Sequence, residues 1–312
     1  MKVVQESHPE VMRRPVVGRF APSPTGPLHF GSLVAALGSC LSARSQGGQW
    51  LLRIEDVDVP RAMPGAADGI LRTLEHFGFE WDGAVVWQSR RTTAYQDAFE
   101  RLKAGGHLFP CACTRKEMAD SALARDGTRR YPGTCRDGLA QGRQPRAWRL
   151  RVPAGEVAFD DAVQGRVVEN VLMDVGDFVL LRADGLFAYQ LAVVVDDAEV
   201  GVTEVVRGAD LLDSTPRQIL LQRLLGLLQP AYAHLPVAAN AAGEKLSKQT
   251  LARAVEGMAP ARLLVDALDF LGQSPPPGLA ESGLAAVWGW SLANWAPARI
   301  PRLRLASAPA GV

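Results

Sequence analysis

Cysteine and long apolar runs are both scarce in this sequence. The 312 residues include four cysteines, too few for the disulfide framework of a small secreted domain. No stretch reaches the roughly 18 apolar residues that a membrane-spanning helix needs, and the N-terminal MKVVQESHPEVMRRP lacks the apolar segment of a secretory signal. These absences predict a cytoplasmic protein with no membrane association.

An excess of charge of either sign is also missing, since 34 Lys and Arg face 33 Asp and Glu. The whole molecule is therefore not a general binder of polyanions. Residues 125–151 differ, because they contain eight Arg against two Asp. Such a segment is suited to contact with RNA, although a solvated, irregular insertion has the same composition.

The two commonest phosphate-binding motifs, G-x-x-x-x-G-K-[ST] and G-x-G-x-x-G at a helix start, are absent. Residues 16–32, VVGRFAPSPTGPLHFGS, offer another kind of site. Val16 and Val17 predict the end of a strand, the prolines that follow exclude helix and sheet, and helical spacing begins after Ser32, the predicted N-cap. A helix N-terminus attracts phosphate. His29, one turn earlier, is therefore a candidate hydrogen-bond donor to a phosphate oxygen. The plainer interpretation is a polar surface residue.

Strands and helices alternate over the next 75 residues or so. Residues 49–58, QWLLRIEDVD, are apolar from Trp50 to Ile54 and end in acidic residues, as expected of a parallel strand that leads into a site. Residues 64–78 and 92–104 have helical periodicity. The second of these segments has an apolar face formed by Tyr95, Phe99 and Leu102. The alternation predicts an α/β fold with a parallel sheet.

From about residue 107 the pattern changes, because Cys, Gly and Arg become frequent and RAWRLRV alternates with a period of two. Thr114 and Glu117 have the spacing of a capping box, which predicts a short helix. Asp184 and Gly185 predict a two-residue hairpin turn between DFVLLRA and LFAYQLAVVV. Ser214, Thr215 and Pro216 then predict the start of a helix.

The remaining residues are predicted to form a polar loop at 243–249, a helix from 251 to about 272, a second helix in GLAAVWGWSLANW and a frayed end at 299–312. These changes divide the chain into five expected parts. They are a flexible leader at 1–15, the first half of a nucleotide-binding core at 16–106, an insertion at 107–188, the second half of the core at 189–250 and a helical region at 251–312.

Two motifs more than 200 residues apart resemble the paired signatures of class I aminoacyl-tRNA synthetases. The first is His29-Phe-Gly31-Ser32, where the class has His-x-Gly-His. The second is Lys245-Leu-Ser-Lys248-Gln, which departs from Lys-Met-Ser-Lys-Ser at two positions. With RFAPSPTG before the first motif, the pair resembles the glutamyl and glutaminyl branch over about residues 15–250. The resemblance implies a Rossmann-like catalytic core with a zinc-bearing insertion and a short helical C-terminal region.

The resemblance also implies site residues. The implied catalytic residues are His29, Lys245 and Lys248. The implied ATP-binding residues are Pro22, His29, Gly31, Ser32 and Lys248. ATP is the implied substrate, and it is expected to carry Mg²⁺. The glutamate pocket implied by the resemblance consists of Arg19, Ser23, Glu55, Tyr189 and Arg207. Glutamate presents two carboxylates and an ammonium group, so guanidinium forks and a protein carboxylate suit it. Ordinary surface arginines, a structural ion pair at Glu55 and an ordinary loop lysine are the plainer interpretations.

The cysteine spacing suggests a metal site in the insertion. Cys111, Cys113 and Cys135 lie within 25 positions, and the resemblance implies one structural Zn²⁺ with Tyr131 as the fourth ligand. A phenolate is an unusual zinc ligand, so His107 is an alternative. Three reduced cysteines without metal are the remaining possibility.

Only about 60 residues follow the second motif, whereas full-size members of this branch continue into an anticodon-binding region. They also commonly have Asn where this chain has Val193. The chain therefore resembles short members that activate glutamate without tRNA and attach it to queuosine in the anticodon loop of tRNA(Asp), and we expect a monomer. The alternatives are a truncated conventional enzyme that charges tRNA(Glu), an inactive tRNA-binding paralogue and another nucleotidyltransferase.

Overall fold

The computed structural model describes residues 15–119, 121–124, 127–240, 242–246 and 253–311. Residues 1–14 of the expected leader and residues 247–252, which include Lys248, lie outside these ranges. The secondary structure alternates between strands and helices in the first and second halves of the core, which confirms the predicted α/β class.

The first half of the core is a parallel three-stranded sheet with helices between and after its strands. Its strands are β1 (Val17–Phe20), β2 (Gln49–Ile54) and β3 (Val86–Trp87). Its helices are α1 (Phe30–Arg44), α2 (Ala66–His76) and α3 (Thr92–Ala104). The second strand, both later helices and the buried face of α3 were predicted correctly.

The first strand was predicted wrongly, because it begins at Val17 rather than ending there. All four residues of β1 are buried, including Arg19. An arginine in a strand is normally a surface residue, since a buried charge is costly without a partner. The Arg19 side chain meets Asp197, which lies almost 180 positions away, so the strand continues through it.

The insertion contains a small antiparallel sheet and a hairpin. The sheet consists of β4 (Leu108–Cys111), β5 (Ala147–Leu150) and β8 (Val179–Leu181). The hairpin consists of β6 (Val157–Asp161) and β7 (Gly165–Glu169). Two short helices accompany them, α4 (Arg115–Met118) and α5 (Val171–Asp174). The capping box before α4 is confirmed, since the Thr114 hydroxyl accepts from Glu117 N and the Glu117 carboxylate accepts from Thr114 N.

The second half of the core joins the hairpin of the insertion. Its elements are α6 (Tyr189–Glu199), β9 (Glu204–Gly208), α7 (Thr215–Leu225) and β10 (Ala231–Leu235). β10 lies parallel to β9 on one side and to β6 on the other. The Thr203 N–H donates to the Val17 carbonyl at 2.9 Å, so β9 begins beside β1. The domain boundaries remain a prediction.

The turn at Asp184 and Gly185 is present, but the second arm predicted after it is wrong. The chain makes one bridge, between Leu181 and Phe187, and then enters α6 at Tyr189. The apolar run in α6 is buried from Leu191 to Val194. A short, continuous apolar run fits a buried helix as well as a buried strand, and periodicity does not separate the two.

The helix predicted from residue 251 begins later, as α8 (Pro260–Phe270), and α9 (Leu284–Asn294) follows as predicted. The frayed end predicted from residue 299 is wrong for the residues that the structure describes. β12 (Leu305–Ser307) pairs in parallel with β11 (Val237–Ala239), because the unpaired backbone groups of both short strands satisfy one another. No helix among the described residues is both long and apolar enough to cross a membrane.

Two apolar cores hold the halves of the molecule. The first packs α1, β2 and α8 together and includes Leu37, Trp50 and Leu264, all fully buried. The second packs α3, α6 and α7 and includes Leu191 and Ile219, also fully buried. The candidate site lies where the carboxyl ends of the core strands meet.

Candidate active site

A cavity of about 260 Å³ opens at the carboxyl ends of β1, β2 and β9, the usual place for a ligand in a parallel α/β sheet. Every residue predicted for catalysis or for binding ATP or glutamate that the structure describes lines it. These residues are Arg19, Pro22, Ser23, His29, Gly31, Ser32, Glu55, Tyr189, Arg207 and Lys245. Lys248 lies outside the described residues.

Arg19 enters the cavity from the buried strand β1 and is 4% exposed. Its Nε donates to both carboxylate oxygens of Asp197, at 3.2 and 3.4 Å. Its two terminal nitrogens donate to no residue that the structure describes. The guanidinium is therefore held at one end and open at the other, which suits a carboxylate ligand.

Glu55 follows β2 directly, and its backbone N–H donates to the Pro22 carbonyl at 3.0 Å. Its carboxylate accepts from Arg53 Nη2 at 3.1 Å. Burial raises the pKa of Glu55 and exceeds the opposing effect of the Arg53 guanidinium. An ammonium group bound in the cavity would favour the ionised carboxylate and be held by it.

Arg207, on β9, is 5% exposed and has only neutral partners. Its Nε donates to His234 Nε2 at 3.1 Å, and its Nη2 donates to Thr215 Oγ1 at 2.9 Å and to Gln218 Oε1 at 2.8 Å. Its Nη1 is buried without a hydrogen-bond partner among the described residues. No carboxylate of the described chain forms an ion pair with Arg207, so its charge calls for an anionic ligand.

His234 is a neutral hydrogen-bond partner of Arg207. Burial lowers the pKa of His234 to about 4, although Asp161 opposes the shift. Its Nδ1 lies 2.6 Å from Asp161 Oδ2, so the neutral ring carries its proton on Nδ1 and accepts from Arg207 at Nε2. Asp161 comes from β6, and the insertion therefore supports this wall of the cavity.

Tyr189 and Ser23 supply neutral polar groups. Tyr189 opens α6, and burial together with the nearby Glu55 carboxylate raises the pKa of its hydroxyl, which therefore stays protonated at neutral pH. Ser23 is exposed in the loop between β1 and α1, on the cavity wall. Both offer hydroxyls that can donate and accept.

The helix start was predicted one turn too late, because His29 rather than Ser32 is the N-cap of α1. His29 Nδ1 accepts from the Ser32 N–H at 3.3 Å, which leaves the proton of a neutral ring on Nε2 as a donor. The ring lies over Gly31, where the Cβ of any other residue would approach the ring to 3.2 Å. The glycine thus lets the histidine cap the helix that it precedes.

Lys245 is tied to the second half of the core. Its Nζ pairs with Asp210 Oδ2 at 2.5 Å, and its backbone bridges Ala239 at the end of β11. Lys245 and Leu246 line the cavity. The start of the lysine-bearing loop is therefore fixed beside the site.

The three cysteines of the insertion converge as predicted. The sulfur atoms of Cys111, Cys113 and Cys135 lie within 4.8 Å of one another. The Tyr131 hydroxyl lies 3.7 Å from Cys111 Sγ and 3.8 Å from Cys113 Sγ. Ligand atoms of a tetrahedral zinc–thiolate site are about 3.8 Å apart, given Zn–S bonds of about 2.3 Å. No histidine or carboxylate that the structure describes joins the group, so His107 lies outside it.

The arginine-rich segment is less open than its composition suggests. Arg136 pairs with Asp177 and Arg143 with Glu117, and both acids lie outside residues 125–151. Arg149 donates to Cys111 Sγ at 3.4 Å. The arginines of this segment without an ion pair in the described chain are Arg129, Arg130, Arg146 and Arg149.

Sequence reasoning missed several buried groups behind the cavity. They are Arg53, Asp161, Asp196, Asp197 and His234. The one available signal was the acidic pair that ends the apolar run YQLAVVVDD. Charged residues next to an apolar run usually mark a surface, and only their partners show that these are internal.

The fold and the cavity are those of an α/β nucleotide-binding catalytic domain. The model of the family described as tRNA synthetases class I (E and Q), catalytic domain, matches residues 15–271, and the chain belongs to this family. It is 65% identical over 295 residues to glutamyl-Q tRNA(Asp) synthetase of Aromatoleum aromaticum, covering 95% of this chain and 93% of that protein. It is also 65% identical over 301 residues to the protein of that name from Dechloromonas aromatica, covering 96% and 100%.

A solved structure gives the same fold. The chain is similar to the glutamate-tRNA synthetase of Elizabethkingia anophelis with a TM-score of 0.79 and 26% identity, covering 95% of this chain and 68% of that one. The resemblance to the glutamyl and glutaminyl branch is therefore confirmed.

Proposed function

We propose that this protein activates L-glutamate with ATP in the absence of tRNA and transfers the glutamyl group to queuosine in the anticodon loop of tRNA(Asp). The observation that carries the first step is the charge inventory of the cavity. Arg19 is paired with Asp197 and Glu55 with Arg53, whereas Arg207 has no acidic partner among the described residues. Arg207 is thus a guanidinium of the wall that remains available for a carboxylate of glutamate.

Each charged group has a matching group on the substrate. The Arg19 fork and Arg207 Nη1 are donors for two carboxylates, and Glu55 is an acceptor for the ammonium group. Glutamine would remove one of these charges and leave a buried guanidinium unpaired, which an enzyme site discriminates against strongly. Glutamate is therefore the preferred substrate.

ATP would lie at the start of α1, where the loop prolines and Gly31 leave the backbone accessible. A helix N-terminus attracts phosphate, and His29 Nε2 supplies a donor. The glutamate α-carboxylate attacks the α-phosphorus, a new P–O bond forms, and the bond to the departing pyrophosphate breaks. Lys245 and Lys248, with Mg²⁺ bound to the nucleotide, would offset the charge on the triphosphate.

The acceptor is assigned from the relatives. Two proteins that match nearly the whole chain at 65% identity have the name glutamyl-Q tRNA(Asp) synthetase, and the chain spans their full or nearly full length. A conventional charging activity towards tRNA(Glu) is the second candidate, because the similar solved structure is a glutamate-tRNA synthetase. Both candidates share the activation step, and they differ in the RNA.

We also propose one structural Zn²⁺ on Cys111, Cys113, Cys135 and Tyr131. Three of the distances between the donor atoms, 3.6, 3.7 and 3.8 Å, match those of a tetrahedral site. A bound cation would hold the cysteine ligands as thiolates. Arg149 contacts Cys111 Sγ and lies 4.0 Å from the centre of the Tyr131 ring, where its charge would offset that of the anionic ligands. We further propose a cytoplasmic monomer.

Glutamate-dependent exchange of labelled pyrophosphate into ATP tests the activation step. Purified protein should catalyse the exchange without tRNA, and glutamine in place of glutamate should give little. A requirement for tRNA in this exchange, or equal rates with both amino acids, would contradict the proposal.

A further inference from the structure

Helix α6 contains two adjacent buried aspartates, Asp196 and Asp197, in its last turn, and the two have different hydrogen-bond partners. Asp197 Oδ1 accepts from Arg19 Nε at 3.2 Å and from Arg53 Nη1 at 2.5 Å. Arg53 also donates through Nη2 to Glu55 at 3.1 Å. Four side chains thus form a continuous ionic chain in the order Glu55, Arg53, Asp197 and Arg19.

The two ends of this chain line the cavity, and the two middle members do not. Arg53 is 2% exposed and Asp197 is 6% exposed, so solvent screens their interactions little. Negative and positive charges alternate along the chain. The middle pair therefore joins a carboxylate that faces the substrate to a guanidinium that faces the substrate.

Asp196 provides an internal comparison, because it is also buried but its side-chain hydrogen bonds go to other groups. It approaches the ionic chain at Arg53, where its Oδ2 lies 3.7 Å from Nε, beyond hydrogen-bond distance. It accepts from Arg91 Nε at 2.5 Å, from Tyr95 Oη at 2.9 Å and from Gln88 Nε2 at 2.7 Å. Those three residues do not line the cavity. Asp196 thus ties α6 to α3 and to the residues that precede it.

We propose that Asp197 and Arg53 are positioning residues for the amino-acid substrate, because they hold Arg19 and Glu55 in the geometry that receives its carboxylate and its ammonium group. This inference rests on the proposed function. Asp197 engages Arg19 at Nε and so leaves both terminal nitrogens for the ligand. Arg53 fixes one oxygen of Glu55 and leaves the other for an ammonium group.

The arrangement supplies preorganisation and the correct protonation state. Long side chains lose rotamer freedom when they bind a ligand, and the ionic chain holds both of them before the substrate arrives. Burial raises the pKa of Glu55, and the Arg53 guanidinium is the strongest influence that opposes this rise. Loss of Arg53 would therefore favour a protonated Glu55 that attracts an ammonium group weakly.

Pyrophosphate exchange with Asp197→Asn and Asp196→Asn, a matched pair of adjacent buried residues, tests the inference. Asp197→Asn should raise the KM for glutamate roughly 10- to 100-fold, the range expected for a charge-assisted hydrogen bond, with the KM for ATP within about twofold. Asp196→Asn should lower the unfolding temperature and leave the KM for glutamate within about threefold of the wild type.

If Asp197→Asn does not fold at the assay temperature, Arg53→Lys replaces it. A lysine keeps the charge but cannot bridge Glu55 and Asp197 in the fixed geometry of a guanidinium, so the same selective rise is expected. Equal changes in the KM for glutamate from both aspartate variants, or equal changes for glutamate and ATP, would overturn the inference. Absence of glutamate-dependent exchange in the wild type would instead overturn the proposed function.

Discussion

Arg207 is an arginine of the cavity that forms no ion pair in the described chain. Its guanidinium is held by His234, Thr215 and Gln218, which are neutral acceptors, and Nη1 is left for the ligand. A carboxylate partner within the protein would satisfy the arginine and weaken its attraction for substrate. The neutral histidine therefore positions the arginine without competing for its charge.

Removal of the positive charge of Arg207 should strongly reduce the rate of glutamate activation. Arg207→Gln is expected to lower kcat/KM for glutamate by about 10² or more, because a buried charge-assisted contact is lost, and to reduce the preference for glutamate over glutamine. Steady-state pyrophosphate exchange with both amino acids measures this.

Arg166→Gln is the matched control, since that arginine is exposed and pairs with Asp160 on the hairpin of the insertion. It should behave like the wild type. An Arg207→Gln protein that keeps the wild-type preference for glutamate would show that the charge of Arg207 does not select the substrate.

At the scale of single elements, the cysteine cluster belongs to a small group of buried residues in the insertion. Few large apolar side chains are buried around it, chiefly Phe109 and Tyr131, so packing alone contributes modestly there. A structural zinc typically contributes roughly 10–16 kcal/mol of apparent binding free energy. We therefore expect the insertion, rather than the core, to depend on the metal.

Purified protein should contain about one zinc per chain, and Cys135→Ser should lose it and increase hydrogen exchange first in the insertion. Elemental analysis and peptide-resolved exchange measure the two effects. Cys40→Ser is the control, because Cys40 is buried in α1 outside the cluster and its loss should leave the zinc content unchanged. A metal-free protein with a fully protected insertion would contradict the zinc proposal.

The short strand β12 is an element with an unexpected place. It pairs with β11, and the Leu246 N–H donates to the Ala238 carbonyl of β11 at 2.8 Å. β11 thus lies between the end of the chain and the start of the lysine-bearing loop. We therefore expect the pairing of β12 with β11 to help position Lys245 and Leu246 at the start of this loop.

Ala308→Pro should disturb this contact, because the Ala308 N–H donates to the Ala239 carbonyl at 2.8 Å and proline has no N–H. Loss of one such bond costs about 0.5–1.5 kcal/mol. We expect a severalfold lower rate of exchange and faster proteolysis at the loop. Ala310→Pro is the control, since Ala310 is exposed, and it should have little effect. Equal behaviour of the two variants would remove β12 from the positioning of the loop.

At the scale of the whole molecule, two halves of a core share one cavity and the insertion supports its wall. β6 lies beside β10, and Asp161 at its end orients His234. The insertion is therefore coupled to the cavity as well as to the surface. We expect the RNA to contact the arginines of the insertion that have no ion pair in the described chain.

We expect transfer of labelled glutamate onto tRNA(Asp) that carries queuosine. The rate of transfer should fall steeply as the salt concentration rises, because contacts with phosphates release counterions. Arg146→Gln should reduce the slope of log rate against log salt by about one for a single phosphate contact. The comparison uses tRNA(Asp) from cells with and without queuosine, together with tRNA(Glu). Equal labelling of both tRNA(Asp) samples, or preference for tRNA(Glu), would assign the protein the conventional charging reaction.

Local chemistry made much of this molecule predictable from its sequence. The alternation of β2, α2 and α3 and the capping box at Thr114 follow from periodicities and spacings that act over a few residues. The convergence of the cysteines follows from their clustering within 25 positions. The family follows from two motifs and the loop before the first. Each of these correct predictions depends on residues close together along the chain or on motifs that the family resemblance already relates to one another.

Only the tertiary structure decided which charges are internal and which backbone groups are paired. Arg19 lies in a buried strand because Asp197 meets it from α6, and β12 is ordered because β11 offers unpaired backbone groups. The run from Leu191 to Val194 is a helix because α3 and α7 enclose it. A buried charge and a short strand depend on partners distant in sequence, because the low-dielectric interior makes an unpaired polar group too costly. An apolar run likewise depends on the distant elements that enclose it.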